Sequence, residues 1–227
     1  MDDTYTYTIQ EEPRGRSSRF DRREVLDIVV AVVVLSVAFM VLYRNNSIMS
    51  YLEFHLGEGL KWAGLFAVCL VIVVLSFLLH ELGHKFVAQN HGMRSGFRMW
   101  PAGLFITLVT SLFGFLFAAP GAVVINGYPD KRTNGLISIA GPVVNIVLCA
   151  IGIAGCLAFN YSAWVLFFMM LASLNAFLAF FNLLPIPPLD GSKIVTWKLP
   201  VYVVVMAVAV LELAYIYLWM PDLYFTY

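Results

Sequence analysis

The chain has 227 residues, 61% of them hydrophobic and 12% charged, with a mean hydropathy of +0.83. A water-soluble domain of this size has too little interior for so much apolar surface, which excludes that class and leaves an integral membrane protein. Fourteen basic residues balance fourteen acidic ones, so net charge is zero and no basic tract suits nucleic acid; Cys69, Cys149 and Cys156 all sit in apolar runs, with no CxxC pair and no disulfide framework.

Residues 1–24 are polar and mixed in charge and read as a cytosolic tail. The first apolar run, 25–43, reads as a transmembrane helix; an acidic tail and a missing small-residue cleavage site argue against a cleaved signal peptide. The second run, 61–90, is long enough to span and to continue into the interface at ~1.5 Å per residue. The third, 104–125, is irregular: two short apolar arms, "LFITLVT" and "FLFAAPGAVVI", surround "SLFGF". The fourth covers about 135–159, the fifth about 163–184 and the last 199–220. The N-x-S triplets at Asn45 and Asn160 carry no weight.

The distribution of Lys and Arg sets orientation. The N-terminal tail carries five, the 85–134 stretch five and the 185–200 stretch two, against two in the 44–61 loop. With the N-terminus cytosolic and the 104–125 segment entering and leaving on one side, 12 of the 14 basic residues are cytosolic. A single crossing at 104–125 inverts everything after it. The fold class expected is therefore an all-α polytopic membrane protein with about five transmembrane helices plus a re-entrant segment. A β-hairpin is the form that suits its short arms, and an ordinary helix kinked at Pro120 is the alternative.

At the end of the second run stands "HELGH", residues 80–84. On a helix His80 and His84 are one turn apart and face the same way, as two imidazoles gripping one zinc must, with Glu81 beside them as general base. Ionisable groups inside a membrane helix mark function by default; histidines merely facing headgroups would leave Glu81 unexplained. A catalytic zinc usually has three protein ligands and keeps one position for water. The acidic residues after His84 are Asp130, Asp190, Glu212 and Asp222. Asp130 lies in a turn-like stretch and Asp222 in the terminal tail. Glu212 lies roughly 18 Å into the last span, deeper than the histidines. Asp190, in "FNLLPIPPLDG", reaches the histidines' side only if 104–125 re-enters, so the metal hypothesis and the charge bias select the same topology.

"HELGH" on a membrane helix, followed about a hundred residues later by "NLLPIPPLDG", resembles the site-2 protease family of intramembrane zinc metalloproteases. The resemblance covers roughly residues 60–195, the catalytic membrane core, and the two motifs together are specific where either alone is weak. It implies His80, His84 and Asp190 as zinc ligands, one Zn2+ per chain, Glu81 as the catalytic glutamate and an asparagine near the active site where Asn182 stands. "GPVVN" resembles the family's Gly-x-x-x-Asn motif, ending at Asn145. Family members cut transmembrane segments of other membrane proteins, often releasing a cytosolic regulator. The expected partners are thus a transmembrane substrate and the lipid bilayer, with no nucleic acid and with oligomerisation left open. Many relatives carry a PDZ domain or paired CBS domains, and this sequence shows neither. The expected location is a prokaryotic cell membrane with the N-terminus cytosolic.

The residues themselves fit that chemistry. Glu81 would take a proton from water and return it to the leaving amine. Asn182 is a candidate oxyanion donor, or else a polar pin between helices, the role that suits Asn145 better. Pro185, Pro187 and Pro188 break the helix before Asp190, where a hydrated pocket can form, and the 104–125 segment could offer a strand edge to an unwound substrate. Glu212 should face a partner or cavity. Two rivals stand: a membrane zincin cutting soluble or lipidated ends at the cytosolic surface with a glutamate as third ligand, and a non-catalytic membrane scaffold.

Overall fold

The computed structural model describes residues 20–115 and 120–219. Most of the expected tail, residues 1–19, lies outside them, as does the end of the chain from 220 onward with Asp222. The described residues form eight helices and one two-stranded sheet. In chain order these are α1 (Arg22–Leu42), α2 (Ser47–Leu56), α3 (Lys61–Asn90), β1 (Arg94–Met99), α4 (Pro101–Leu112), β2 (Gly121–Asn126), α5 (Lys131–Ala158), α6 (Trp164–Asn182), α7 (Asp190–Trp197) and α8 (Leu199–Trp219). Five of them, α1, α3, α5, α6 and α8, are long and apolar enough to cross a membrane. The molecule is an all-α polytopic membrane protein, as the sequence leads one to expect.

Local chemistry sets the helix boundaries. Asp21 caps α1 by accepting from the Glu24 N–H, and Asp130 caps α5 by accepting from the Thr133 N–H at 2.7 Å, satisfying donors the first turn leaves open. Gly57 ends α2 at φ 76°, a left-handed region where a side chain is strained. Helix α1 begins at Arg22, so Glu24, which the sequence places in the tail, is a buried helical residue. Helix α3 contains one π turn, Val74–Leu78, directly before the "HELGH" segment. Such turns are rare and concentrate at functional sites.

Leu35, Leu65, Val73 and Met170 pack α1, α3 and α6 together, while Cys149, Cys156, Met169 and Ile216 join α5, α6 and α8. All three cysteines are free and buried. Outward-facing Val204, Leu211 and Leu218 of α8 are exposed, an apolar exterior suited to lipid.

The segment between the second and fourth runs leaves and returns at one place. β1 pairs antiparallel with β2 in the register Arg94↔Asn126 through Met99↔Gly121, and the Trp100 N–H donates to Pro120 O at 2.9 Å. Among the described residues no helix crosses here, and the kinked-helix alternative is not formed. The sheet, however, is not built from the two arms read from the sequence. Residues 101–112 are helical, and the partner of "GAVVI" is the preceding stretch "RSGFRM". Pro101 starts the helix, and the Thr107, Thr110 and Ser111 hydroxyls are satisfied within it, donating back to Gly103 O, Thr107 O and Leu108 O at 2.7–3.1 Å.

Candidate metal centre

α3 brings His80 and His84 onto one face. α5 packs against that face through glycine: a Cβ on Gly141 would stand 2.4 Å from His84 Nε2 and 2.5 Å from His80 Nε2. The third side chain arrives from the far end of the chain. After α6 the exposed Pro185, Pro187 and Pro188 turn the backbone, and Asp190 opens α7. Gly191 permits the tight return, since a Cβ there would lie 2.0 Å from Leu183 O. The result is one cluster. His84 Nε2 lies 3.0 Å from His80 Nε2 and 3.1 Å from Asp190 Oδ2, and His80 Nε2 lies 3.6 Å from the same oxygen. All three residues are buried and their ligand atoms lie within 4.8 Å of one another.

The other ring nitrogens decide what these atoms can do. His84 Nδ1 is 2.8 Å from Ile137 O. A backbone carbonyl only accepts, so Nδ1 carries the proton and Nε2 of the neutral ring is a bare lone pair. His80 Nδ1 faces Asn145 Oδ1. Asn145 Nδ2 donates to Ser76 O at 3.0 Å, which fixes the amide orientation and makes the atom facing His80 an acceptor. His80 therefore also presents a lone pair. Two imidazole nitrogens and a carboxylate oxygen converge on one point in a buried setting, an arrangement that needs a proton or a metal cation between them. Two nitrogens and one oxygen from three residues match a catalytic zinc set that keeps a fourth position open.

Glu81 stands beside the cluster. It lies next to His80, His84 and Asp190, one side of its carboxylate meets the Val123 N–H of β2, and its Oε2 is buried without a hydrogen-bond partner. Asn182 closes α6, and its amide donates to Leu178 O of its own helix at 2.9 Å. Glu212 lies on α8 beside Cys149, with its Oε2 likewise unpartnered; the rival third ligand is not part of the cluster that Asp190 completes.

Asn145 is more than a pin between helices, because it contacts a candidate ligand directly. Asn175 and Ser76, joined to it, were missed in the sequence. The available signal was an amide inside the most apolar stretch of α6.

A buried His–His–Asp cluster with an adjacent unpartnered glutamate, set among membrane-length helices, defines a membrane metallohydrolase. The profile of Peptidase family M50 matches residues 157–203, the stretch that carries Asn182 and Asp190. MJ0611 of Methanocaldococcus jannaschii, provisionally named a zinc metalloprotease, is 34% identical over 206 residues, covering 88% of this chain and 98% of its own. YwhC of Bacillus subtilis, also provisionally named so, is 33% identical over 149 residues, 57% of this chain and 68% of its own. The zinc metalloprotease MJ0392 of Methanocaldococcus jannaschii is 26% identical over 173 residues, 75% of this chain and 42% of its own. No solved structure matches the chain. The chain belongs to the M50, or site-2 protease, family and is a zinc metallopeptidase.

Proposed function

We propose that this metallopeptidase works inside the membrane, hydrolysing peptide bonds within transmembrane segments of other membrane proteins and releasing cytosolic regulators. The observation that carries the reading is the convergence of two imidazole nitrogens and the Asp190 carboxylate beside the Glu81 carboxylate, whose Oε2 has no partner, among helices of membrane length. In this reading His80, His84 and Asp190 hold one zinc ion per chain. Bound there, zinc supplies Lewis acidity toward the scissile carbonyl and toward water.

The chain's own residues do the rest. Glu81, lacking a partner at Oε2, accepts the proton of the attacking water and hands it to the leaving amine. Asn182 releases Leu178 O and turns its amide toward the developing oxyanion. A substrate helix must unwind before its bonds are accessible, and an extended segment needs backbone partners. β2 offers them next to the base, since the Val123 N–H already faces Glu81. Water reaches the site past the exposed Pro185–Pro188 turn.

In the same reading the residues before α1 form a cytosolic tail, shorter than the 1–24 read from the sequence because α1 begins at Arg22; α1 is the first span, 60–195 the catalytic core and 199–220 the last span. The protein sits in a prokaryotic cell membrane with its N-terminus cytosolic. The charge count supports that orientation: with the 104–125 segment entering and leaving on one side, 12 of the 14 basic residues are cytosolic.

The test uses purified full-length protein, wild type and Glu81→Gln, incubated with single-span substrates with and without a chelator. Mass spectrometry then locates the cut. Cleavage within the span by wild type alone, abolished by chelation, is expected. Cleavage only at soluble ends would replace this reading with the surface zincin, and equal activity of the two proteins would remove it.

A further inference from the structure

His80 is at the end of a chain of hydrogen bonds that starts outside the metal centre. Asn175 Nδ2 donates to Leu171 O and to Ser76 Oγ, both at 2.8 Å. Because Leu171 O is a carbonyl, the Asn175 amide has one orientation, and its Oδ1 must face Asn145. Asn145 Nδ2 donates to that oxygen at 2.8 Å and to Ser76 O at 3.0 Å. Both of its amide hydrogens are thus engaged, and its Oδ1 is left for His80 Nδ1. Asn145, Asn175 and Ser76 are fully buried, and Ser76 lies in the middle of the π turn. Two backbone carbonyls, on α6 and on the π turn, therefore set the polarity of the whole chain.

We propose that Asn175, acting through Asn145, is a positioning residue that holds His80 in its Nδ1–H form and so keeps its Nε2 lone pair directed at Asp190 and His84. This rests on the proposed metal centre but makes a claim about the metal-free protein too. His84 reaches the same tautomer by a separate route, the Ile137 carbonyl. The two ligands are thus set independently, one by backbone and one by a side-chain relay. The π turn is the piece of backbone that brings Ser76 to both asparagines at once. An outer partner of a ligating histidine fixes its tautomer and orientation, and its loss typically lowers metal affinity about 10–100-fold.

The test is 15N NMR of histidine-labelled, metal-free, full-length protein in micelles, with wild type compared to Asn145→Leu and Asn175→Leu, followed by zinc affinity from chelator competition. In wild type, both His80 and His84 should show a protonated Nδ1. Asn145→Leu should mix the His80 tautomers and weaken zinc binding about 10–100-fold; Asn175→Leu should move both readouts the same way by less. His84 is the internal control, since a variant that merely misfolds disturbs both rings, whereas the relay requires His80 to change while His84 stays. A His80 protonated on Nε2 and not on Nδ1 in wild type overturns the proposal. So does an Asn175→Leu protein with wild-type His80 tautomer and wild-type zinc affinity, or one in which both rings change together. If the tautomers behave as stated and wild type binds no zinc, the relay stands and the proposed metal centre fails.

Discussion

Glu24 and Glu81 lie on opposite edges of the β1–β2 pair, each facing the outward N–H of one member of the Phe97–Val123 register pair. Glu24 is satisfied. Its Oε1 accepts from Phe97 N–H at 3.0 Å and from the fully buried Lys85 at 2.6 Å, and the ammonium also sits 3.6 Å above the Phe20 ring. Glu81 has the Val123 N–H and, at Oε2, no partner. Both belong to surroundings organised by α3, since Lys85 follows His84 directly. Burial alone therefore does not distinguish a structural charge from a working one. The distinction is whether the local partners already satisfy the group.

The same substitution at the two edges makes that comparison sharp. Glu81→Gln removes the base while keeping shape and size. Proteolysis should fall by about 10²–10⁴, the usual contribution of a positioned general base, while zinc content and thermal stability stay near wild type; a kinetic assay alongside metal analysis checks this. A Glu81→Gln protein that lost stability but kept its rate would reverse the assignment of the two edges.

Glu24→Gln should do the opposite. It strands a buried ammonium, and breaking a buried pair from one side costs about 3–5 kcal/mol. Unfolding in detergent should show that loss, and the double variant Glu24→Gln, Lys85→Met should regain most of it, because the uncompensated charge is gone and the Gln oxygen still accepts from the Phe97 N–H. A double variant as unstable as the single would show that packing rather than charge holds α1 against α3 and β1.

These two edges were unequally legible in the sequence. The motif at 80–84 is local: a helical period alone puts His80 and His84 on one face and names Glu81. Asp190 followed from topology, because the charge distribution favoured a return of 104–125 to one side. The pairing of Lys85 with Glu24 spans 61 residues and has no local signature, and a glutamate two residues past Arg22 reads as tail. "RSGFRM" lacks the alternation of a strand, because among its side chains only Phe97 is buried and no regular apolar face is needed. The Asn145–His80 contact depends on the rotation of α5 against α3, which is set by the close approach at Gly83 and Gly141, and no single-helix pattern encodes it.

Metal removal separates the edges again, with a smaller effect. Ligand binding to the native state alone stabilises it by RT ln(1 + [L]/Kd), about 2.7 kcal/mol at a hundredfold excess over Kd. Chelation should therefore lower the melting temperature of wild type. Glu24→Gln should lose a similar further increment, because its defect lies on the other edge and the two sites share no side chain. His84→Asn should be insensitive to chelator. Equal chelator response in wild type and His84→Asn would show that the stabilising metal binds elsewhere.

The smallest effect lies at the outer end of the Glu24 edge. The Arg98 guanidinium, 2.9 Å away, holds the Asp21 carboxyl below the usual carboxylate range, helped by the Glu24 N–H it caps. A carboxyl depressed on folding contributes stability above its unfolded value, about 3.9, and that contribution disappears as pH falls below 3.9 and through the folded value. Asp21→Asn retains an oxygen for the cap but loses the charge facing Arg98. The variant should be slightly less stable than wild type at neutral pH, and the gap should close on acidification and in high salt, where exposed pairs are screened. Melting curves at pH 7 and pH 3, each at low and high salt, test this. A gap that does not narrow between pH 7 and pH 3 would mean that the cap rather than the Arg98 pair ties Asp21 to the fold, and would leave the buried Lys85–Glu24 pair as the electrostatic tie between α1 and the helix that carries the site.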